Sequence, residues 1–260
     1  NKYEFKGKGG STFDIQVKDD DMEIFSKLYG VAPPKTGETE GQTKGVGNGE
    51  IALYWLYQFS QSGVEVTEGR AGDDPDLWFG EVGVEVKAYS SHNKKIDLGR
   101  FGADKENLQL LGVIFGIHTL VKLLGVDVES TKTVNPTNFQ GISLIPAFRE
   151  VINLTNVDLA QLSDIYPVFK TIESNINFVN KTLGSPENEE EGAKAMAYKM
   201  LESKLGRKPG DGGYLANVLK SGGIRFYGIH LEKVRGSEKL LKNFGVGQSS
   251  INLNFANVFG

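Results

Sequence analysis

Gly72-Asp73-Asp74-Pro75-Asp76-Leu77-Trp78-Phe79-Gly80-Glu81-Val82-Gly83-Val84-Glu85-Val86-Lys87-Ala88-Tyr89 is the stretch on which the reading of this chain turns. Side chains on a strand alternate with period two. Over 82–88 this puts Val82, Val84, Val86 and Ala88 on one face and Gly83, Glu85 and Lys87 on the other. Glu85 and Lys87 then stand about 6.6–7 Å apart along one face. Asp76 opens the preceding strand candidate, joined through a tight turn around Gly80–Gly83. If the two strands pair as a hairpin, Asp76 comes beside Glu85 or Lys87. Two carboxylates held together repel unless positive charge lies between them. Mg²⁺ is the natural hard cation for such oxygen donors, with Mn²⁺ expected to substitute. A metal there can lower the pKa of a bound water and clamp a phosphate oxygen. Lys87 can hold the attacking water or offset charge building on phosphorus. Those are the parts for hydrolysing a phosphodiester.

Working outward, Gly45-Val46-Gly47-Asn48-Gly49 leads into a helix expected at about 49–61, with Ile51, Leu53, Tyr54, Trp55, Leu56 and Phe59. Glu50 starts that helix as a third carboxylate, and Asn48 is a candidate cap. The glycines allow close backbone approach to a ligand. Val64–Glu68 is a further strand candidate. Residues 89–103 are polar, and 104–124 form a strongly apolar helix, expected to be buried in a core. N-terminal to these, 1–17 read as a hairpin (Tyr3, Phe5, Phe13, Ile15, Val17). Residues 20–29 read as a helix with Met22, Ile24, Phe25 and Leu28 on one face, and 31–49 as a polar loop. C-terminal to them, 125–141 are loop-like and 142–221 are expected to be a helical insertion, with apolar spacing in 143–155, 158–183 and 192–205. The acidic run Glu187–Glu191 suits a helix start. Gly223–Leu231 and Ile251–Phe259 are expected strands. This order predicts a mixed α/β fold, not the strict alternation of a doubly wound one.

At Pro75-Asp76 and Glu85-Val86-Lys87 the chain resembles the PD-(D/E)xK nuclease superfamily, whose fold is restriction-endonuclease-like. Nine positions separate Asp76 from Glu85, near the short end of what the family shows. The match covers roughly 48–124. The resemblance implies a core with a mixed central sheet flanked by helices, at about 46–124 plus 222–232 of a single 1–260 domain. It implies Asp76 and Glu85 as metal ligands, the Val86 carbonyl completing the coordination, Glu50 as an auxiliary ligand and Lys87 assisting the water. It further implies a Mg²⁺-dependent nuclease, first a DNA endonuclease, with exonuclease or junction cleavage in the same class and double-stranded DNA as partner. The helical insertion could supply target recognition or a homodimer contact.

Glu-x-Lys alone is a cheap motif, and this chain has it at Glu4/Lys6, Glu85/Lys87 and Glu202/Lys204. Only the middle copy sits in an apolar strand with Pro-Asp before it. The bland reading is an amphipathic hairpin on which Glu85 and Lys87 form a solvated surface pair. Asp73, Asp74 and Glu81 are alternative carboxylates. Downstream, His92, Lys94, Lys95, Arg100 and Lys105 make a polar, basic stretch where a nucleic-acid backbone could run; a solvated surface is the competing reading. Gln109, on the following helix, is a further candidate contact. Basic residues at 204–208 and 225–242 could also line a groove. Trp55, Trp78 and His118 read as core residues. The rivals to a nuclease are a catalytically silent nucleic-acid-binding or structural protein on the same fold and a non-nuclease hydrolase whose acid/base pair comes from the same carboxylates.

Composition sets the bounds. The chain has 260 residues, 39% of them hydrophobic, with 15 Phe, 9 Tyr and 2 Trp, enough for a sizeable core. It has no cysteine, which excludes disulfides, thiolate zinc sites and a cysteine nucleophile. Taken alone, the net charge of −4 argues mildly against a nucleic-acid binder, but a nuclease needs acidic metal ligands and can be acidic overall. No P-loop, HExxH or GxSxG motif occurs. No apolar run long enough to span a membrane and no signal peptide are read, and a cytoplasmic location is expected.

Overall fold

In a computed structural model the described residues are 2–31, 47–60, 62–70, 74–100, 105–124, 144–155, 169–246 and 250–260. Asp73, Gly45 and Val46, most of the loop expected at 31–49, and that at 125–141 lie outside them. So does the start of the helix expected at 158–183. The strands are β1 (Phe13–Gln16), β2 (Val66–Glu68), β3 (Leu77–Phe79), β4 (Val82–Lys87), β5 (Ile96–Arg100), β6 (Tyr214–Val218), β7 (Gly223–Gly228), β8 (Phe244–Val246) and β9 (Ser250–Leu253). The helices are α1 (Asp19–Leu28), α2 (Glu50–Phe59), α3 (Lys105–Leu124), α4 (Leu144–Thr155), α5 (Phe169–Leu183), α6 (Glu189–Leu205), α7 (Glu238–Asn243) and α8 (Phe255–Phe259). Among the described residues no helix is long and apolar enough to cross a membrane.

The chain divides into two compact units, one of 1–96, 204–232 and 254–260, the other of 97–203 and 233–253. The first holds a six-stranded mixed sheet in the order β1-β7-β6-β4-β3-β2. Its neighbours are antiparallel except β4 and β6, which run parallel with Glu85 opposite Leu215 and Lys87 opposite Asn217. The period-two pattern sorts the two faces. Val66, Leu77, Phe79, Val82, Val84, Val86, Tyr214, Ala216, Val218, Ile224 and Phe226 bury one face against Ala52, Leu53, Leu56 and Tyr57 of α2 and Phe25 of α1. Phe5, Phe13, Tyr57, Phe79 and Tyr214 ring Phe226, with Phe13 stacked on it at 4.8 Å between centroids. The opposite face carries Glu85, Lys87, Asn217, Arg225 and Asp14, with α8 packing there through Phe255 on Tyr227. The second unit has its own three-stranded sheet, β5-β9-β8, together with α3, α4, α5, most of α6, and α7.

Several expectations are corrected here. Residues 1–17 are not a hairpin, because β1 pairs with β7. Tyr3 and Phe5 are drawn into the aromatic core, where burying ring area outweighs a few ladder bonds. The glycine turn is held instead by Gly9 N–H on the Gly212 carbonyl and by the Tyr214 hydroxyl on the Gly7 carbonyl. The helical reading of 142–221 fails at its C-terminal end, where 214–218 are the central strand β6. That strand is buried on both faces, so it shows no alternation to read. Strand β5 lies in the polar stretch 89–103. The apolar helix at 104–124 is α3, in the second unit and not the first. Of 251–259 only the first part is a strand, and 255–259 form α8. Ile24, read onto one face of α1 with Met22, Phe25 and Leu28, is 45% exposed, while Phe25 is buried. Asn48 does not cap α2: the N-cap is Gly49, in the left-handed conformation at φ 85°.

Candidate active site

Three elements of the first unit meet at one end of β4: the N-terminus of α2, the start of β3, and β4 itself. The turn Gly80-Glu81 folds β3 back on β4, with Leu77 opposite Val84. The β3–β4 register ends at Leu77 and Val84. The Val86 N–H goes to Asp76 Oδ2 at 2.7 Å. That bond sets the Asp76 carboxylate across the strand end from Glu85, as the hairpin reading expects. Gly69 secures the same corner. Its N–H donates to the Asp76 carbonyl at 3.0 Å, and a Cβ there would collide with the Pro75 carbonyl.

Glu85 and Lys87 share a face, as the alternation requires, and form an ion pair with Nζ 2.6 Å from Oε1. Their side chains are only 15% and 27% exposed, which sets them apart from a solvated surface pair. Glu85 Oε2 is buried and has no hydrogen-bond partner. An unsatisfied buried acceptor costs about 1–3 kcal/mol, and its retention marks a place where stability has been given up. Burial by itself would lower the Lys87 pKa. Glu85 and Asp76 more than offset it, and the ammonium titrates above the ordinary lysine range.

Glu50, the first residue of α2, accepts from the Gly47 N–H at 3.0 Å. Burial pushes its carboxyl up from 4.5 to about 7, with Asp76, Glu85 and Glu68 adding repulsion. The helix dipole and the Gly47 N–H favour the anion, but they do not prevail. A raised carboxyl pKa means that the folded chain holds a proton that the unfolded chain releases. Stability linked to Glu50 is therefore present below pH 4.5 and lost as pH rises through about 7. The full shift corresponds to about 3 kcal/mol; Glu50 is only half-buried, and solvent screening reduces this to about 1–2 kcal/mol. Without divalent metal, Glu50→Gln should stabilise the chain by that amount at pH 8 and leave it unchanged at pH 4. Urea melts at the two pH values check this, and equal effects at both would refute it.

Glu50, Asp76, Glu85 and Lys87 are thus brought together by short local elements. Glu68, at the end of β2, is a fourth carboxylate within electrostatic reach, which sequence reasoning passed over; the β2–β3 pairing puts it opposite Leu77, beside Asp76. The alternative carboxylates do other things: Asp74 Oδ2 accepts from the Arg70 N–H, and Glu81 is exposed in the turn. Of the other Glu-x-Lys copies, Glu202/Lys204 is helical and Glu4/Lys6 is not in a strand. Lys94 and Lys95 are exposed in the loop after β4, without a contact to the carboxylates. Arg100 lies on β5 and Gln109, exposed, on α3, both in the second unit. Trp55 packs on the core, while Trp78 is half-buried on the opposite face; the His118 side chain lies outside the described residues.

Three carboxylates, one of them with a buried oxygen that has no partner, are of the oxygen-donor type that a hard divalent cation takes. Among the described residues, however, no group of three or more His, Asp or Glu side chains is arranged to hold a metal ion. Each carboxylate turns one oxygen to a donor of the chain: Asp76 to Val86 N–H, Glu50 to Gly47 N–H and Glu85 to the Lys87 ammonium. Compared with known proteins, the chain matches no family model, no curated protein and no solved structure.

Proposed function

We propose that this chain is a divalent-metal-dependent nuclease of the PD-(D/E)xK type on a restriction-endonuclease-like core. It hydrolyses phosphodiester bonds, with double-stranded DNA as the first substrate and internal cutting as the first mode. One observation carries the reading. Glu50, Asp76, Glu85 and Lys87 converge at one end of β4, and Glu85 Oε2 is buried there without a partner. Asp76, Glu85 and the Val86 carbonyl would hold Mg²⁺ or Mn²⁺, with Glu50 as the auxiliary ligand. When bound, the metal supplies an acidified water and neutralises charge on the phosphate. Asp76 is already oriented by the Val86 N–H. Glu50, half protonated near pH 7, would serve as a ligand in its deprotonated form. Lys87 releases Glu85 Oε1 and turns its Nζ toward the water or the phosphoryl oxygen.

The experiment is cleavage of supercoiled plasmid and linear duplex by the wild-type chain with Mg²⁺, with Mn²⁺ and with EDTA. Cutting with either metal and none with EDTA is the expected result, and the product pattern separates internal from end cutting. A second reading, a silent nucleic-acid-binding protein on this fold, is favoured by the closed Lys87–Glu85 pair. It requires DNA binding that no metal turns into cleavage. Cleavage undiminished by EDTA would refute both.

A further inference from the structure

The helical reading of 142–221 hides β6, and with it a residue beside the site. Asn217 is completely buried. Its register partner is Lys87 of the parallel neighbour β4. The two side chains stand on the same face, one strand apart, a spacing of about 4.8 Å. Both ends of the Asn217 amide bond to the chain that leaves Lys87. Its Oδ1 accepts from the Tyr89 N–H at 3.3 Å, and its Nδ2 donates to the Ser91 carbonyl at 3.2 Å. A second buried residue of that face, Tyr227 on β7, donates its hydroxyl to the His92 carbonyl at 2.7 Å.

Residues 89–92 are therefore strapped across the polar face of the sheet by side chains from two other strands. A buried amide is tolerated only when its hydrogen bonds are made, and here both go to backbone atoms just after the lysine. The ladder of β4 holds Lys87 from one side and the strap from the other.

We infer that Asn217 is a positioning residue for Lys87: by clamping 89–91 it holds the lysine side chain against Glu85 and away from bulk water. The effect on rate rests on the nuclease reading; the clamp itself does not.

The test combines amide hydrogen exchange at Tyr89 with a double-mutant cycle in the plasmid assay. Asn217→Ala should unprotect the Tyr89 amide. It should lower kcat about 10–30-fold with KM for DNA changed less than about twofold, the mark of lost alignment and not of lost binding. In the Lys87→Ala background it should cost nothing further, since its effect runs through that lysine. An equal loss in both backgrounds, a rise in KM alone, or an unchanged Tyr89 amide would each overturn the inference. Should Asn217→Ala not fold, Tyr227→Phe, which keeps the volume, should give a smaller loss of about threefold that also vanishes in the Lys87→Ala background. If the wild-type chain cuts nothing with either metal, the nuclease reading falls and the rate effect with it. The Tyr89 exchange then still decides the clamp.

Discussion

Lys87→Ala should cut supercoiled plasmid about a thousandfold more slowly than wild type in Mg²⁺, within the range of 10²–10⁴ for loss of a positioned proton-transfer or charge-stabilising group. Its ammonium is the cation held by the site in the structure, 2.6 Å from Glu85 Oε1 and within the fields of Asp76 and Glu85. Removing it has two opposed consequences. The transition state loses a positive group held in a poorly hydrated place, where it acts more strongly than in water. At the same time Glu85 loses its competing partner, so both of its oxygens become available to a metal. Lys87→Ala should therefore bind Mg²⁺ or Mn²⁺ at least as tightly as wild type by calorimetry while cutting far more slowly. Asp76→Ala should fail in both, because it removes a proposed ligand and leaves the Val86 N–H without its acceptor. This crossed pattern separates a catalytic lysine from a structural one. Plasmid cleavage by Lys87→Ala at the wild-type rate would remove the lysine from the mechanism.

Phe226→Ala should destabilise the first unit by about 3–5 kcal/mol, the range for truncating a large buried aromatic. Phe226 is fully buried on β7, between β1 and β6. It makes ring contacts with Phe5, Phe13, Tyr57, Phe79 and Tyr214, which come from the N-terminal segment, β1, α2, β3 and β6. The lost ring leaves a cavity that five other rings, each held by its own element, cannot readily close. Such a loss is a large fraction of the 5–15 kcal/mol that a domain has. Both tryptophans, Trp55 and Trp78, lie in this unit, so their fluorescence follows its unfolding in urea. A shift of the midpoint with an unchanged slope is expected. A loss below about 1 kcal/mol would mean that the rings are not packed as described.

That Glu50, Asp76, Glu85 and Lys87 come together was legible because each sits in a short element with a clean local signal. The alternation at 82–88 sets Glu85 and Lys87 on one face, and the Gly80 turn returns Asp76 to them. The glycine lead into an apolar helix places Glu50 at its start. In each case the deciding interaction lies within about ten residues, so local pattern was enough. Helix α2, the β3–β4 hairpin and the β7 strand follow from the same logic.

The tertiary structure alone decided the rest. Strand β6 carries no alternation because both of its faces are buried, and its place between β4 and β7 depends on a parallel partner, β4, more than a hundred residues earlier in the chain. Strand β1 took β7 and not the preceding segment, because Tyr3 and Phe5 gain more from the aromatic core than from a ladder. Glu68 and Asn217 joined the site through strand pairing, which no spacing in the chain encodes. By itself the sequence determined which side chains share a face, since that is a property of one strand's geometry. Which faces meet, which oxygen remains without a partner and which residues strap the lysine were settled only when distant segments competed to bury the same surface.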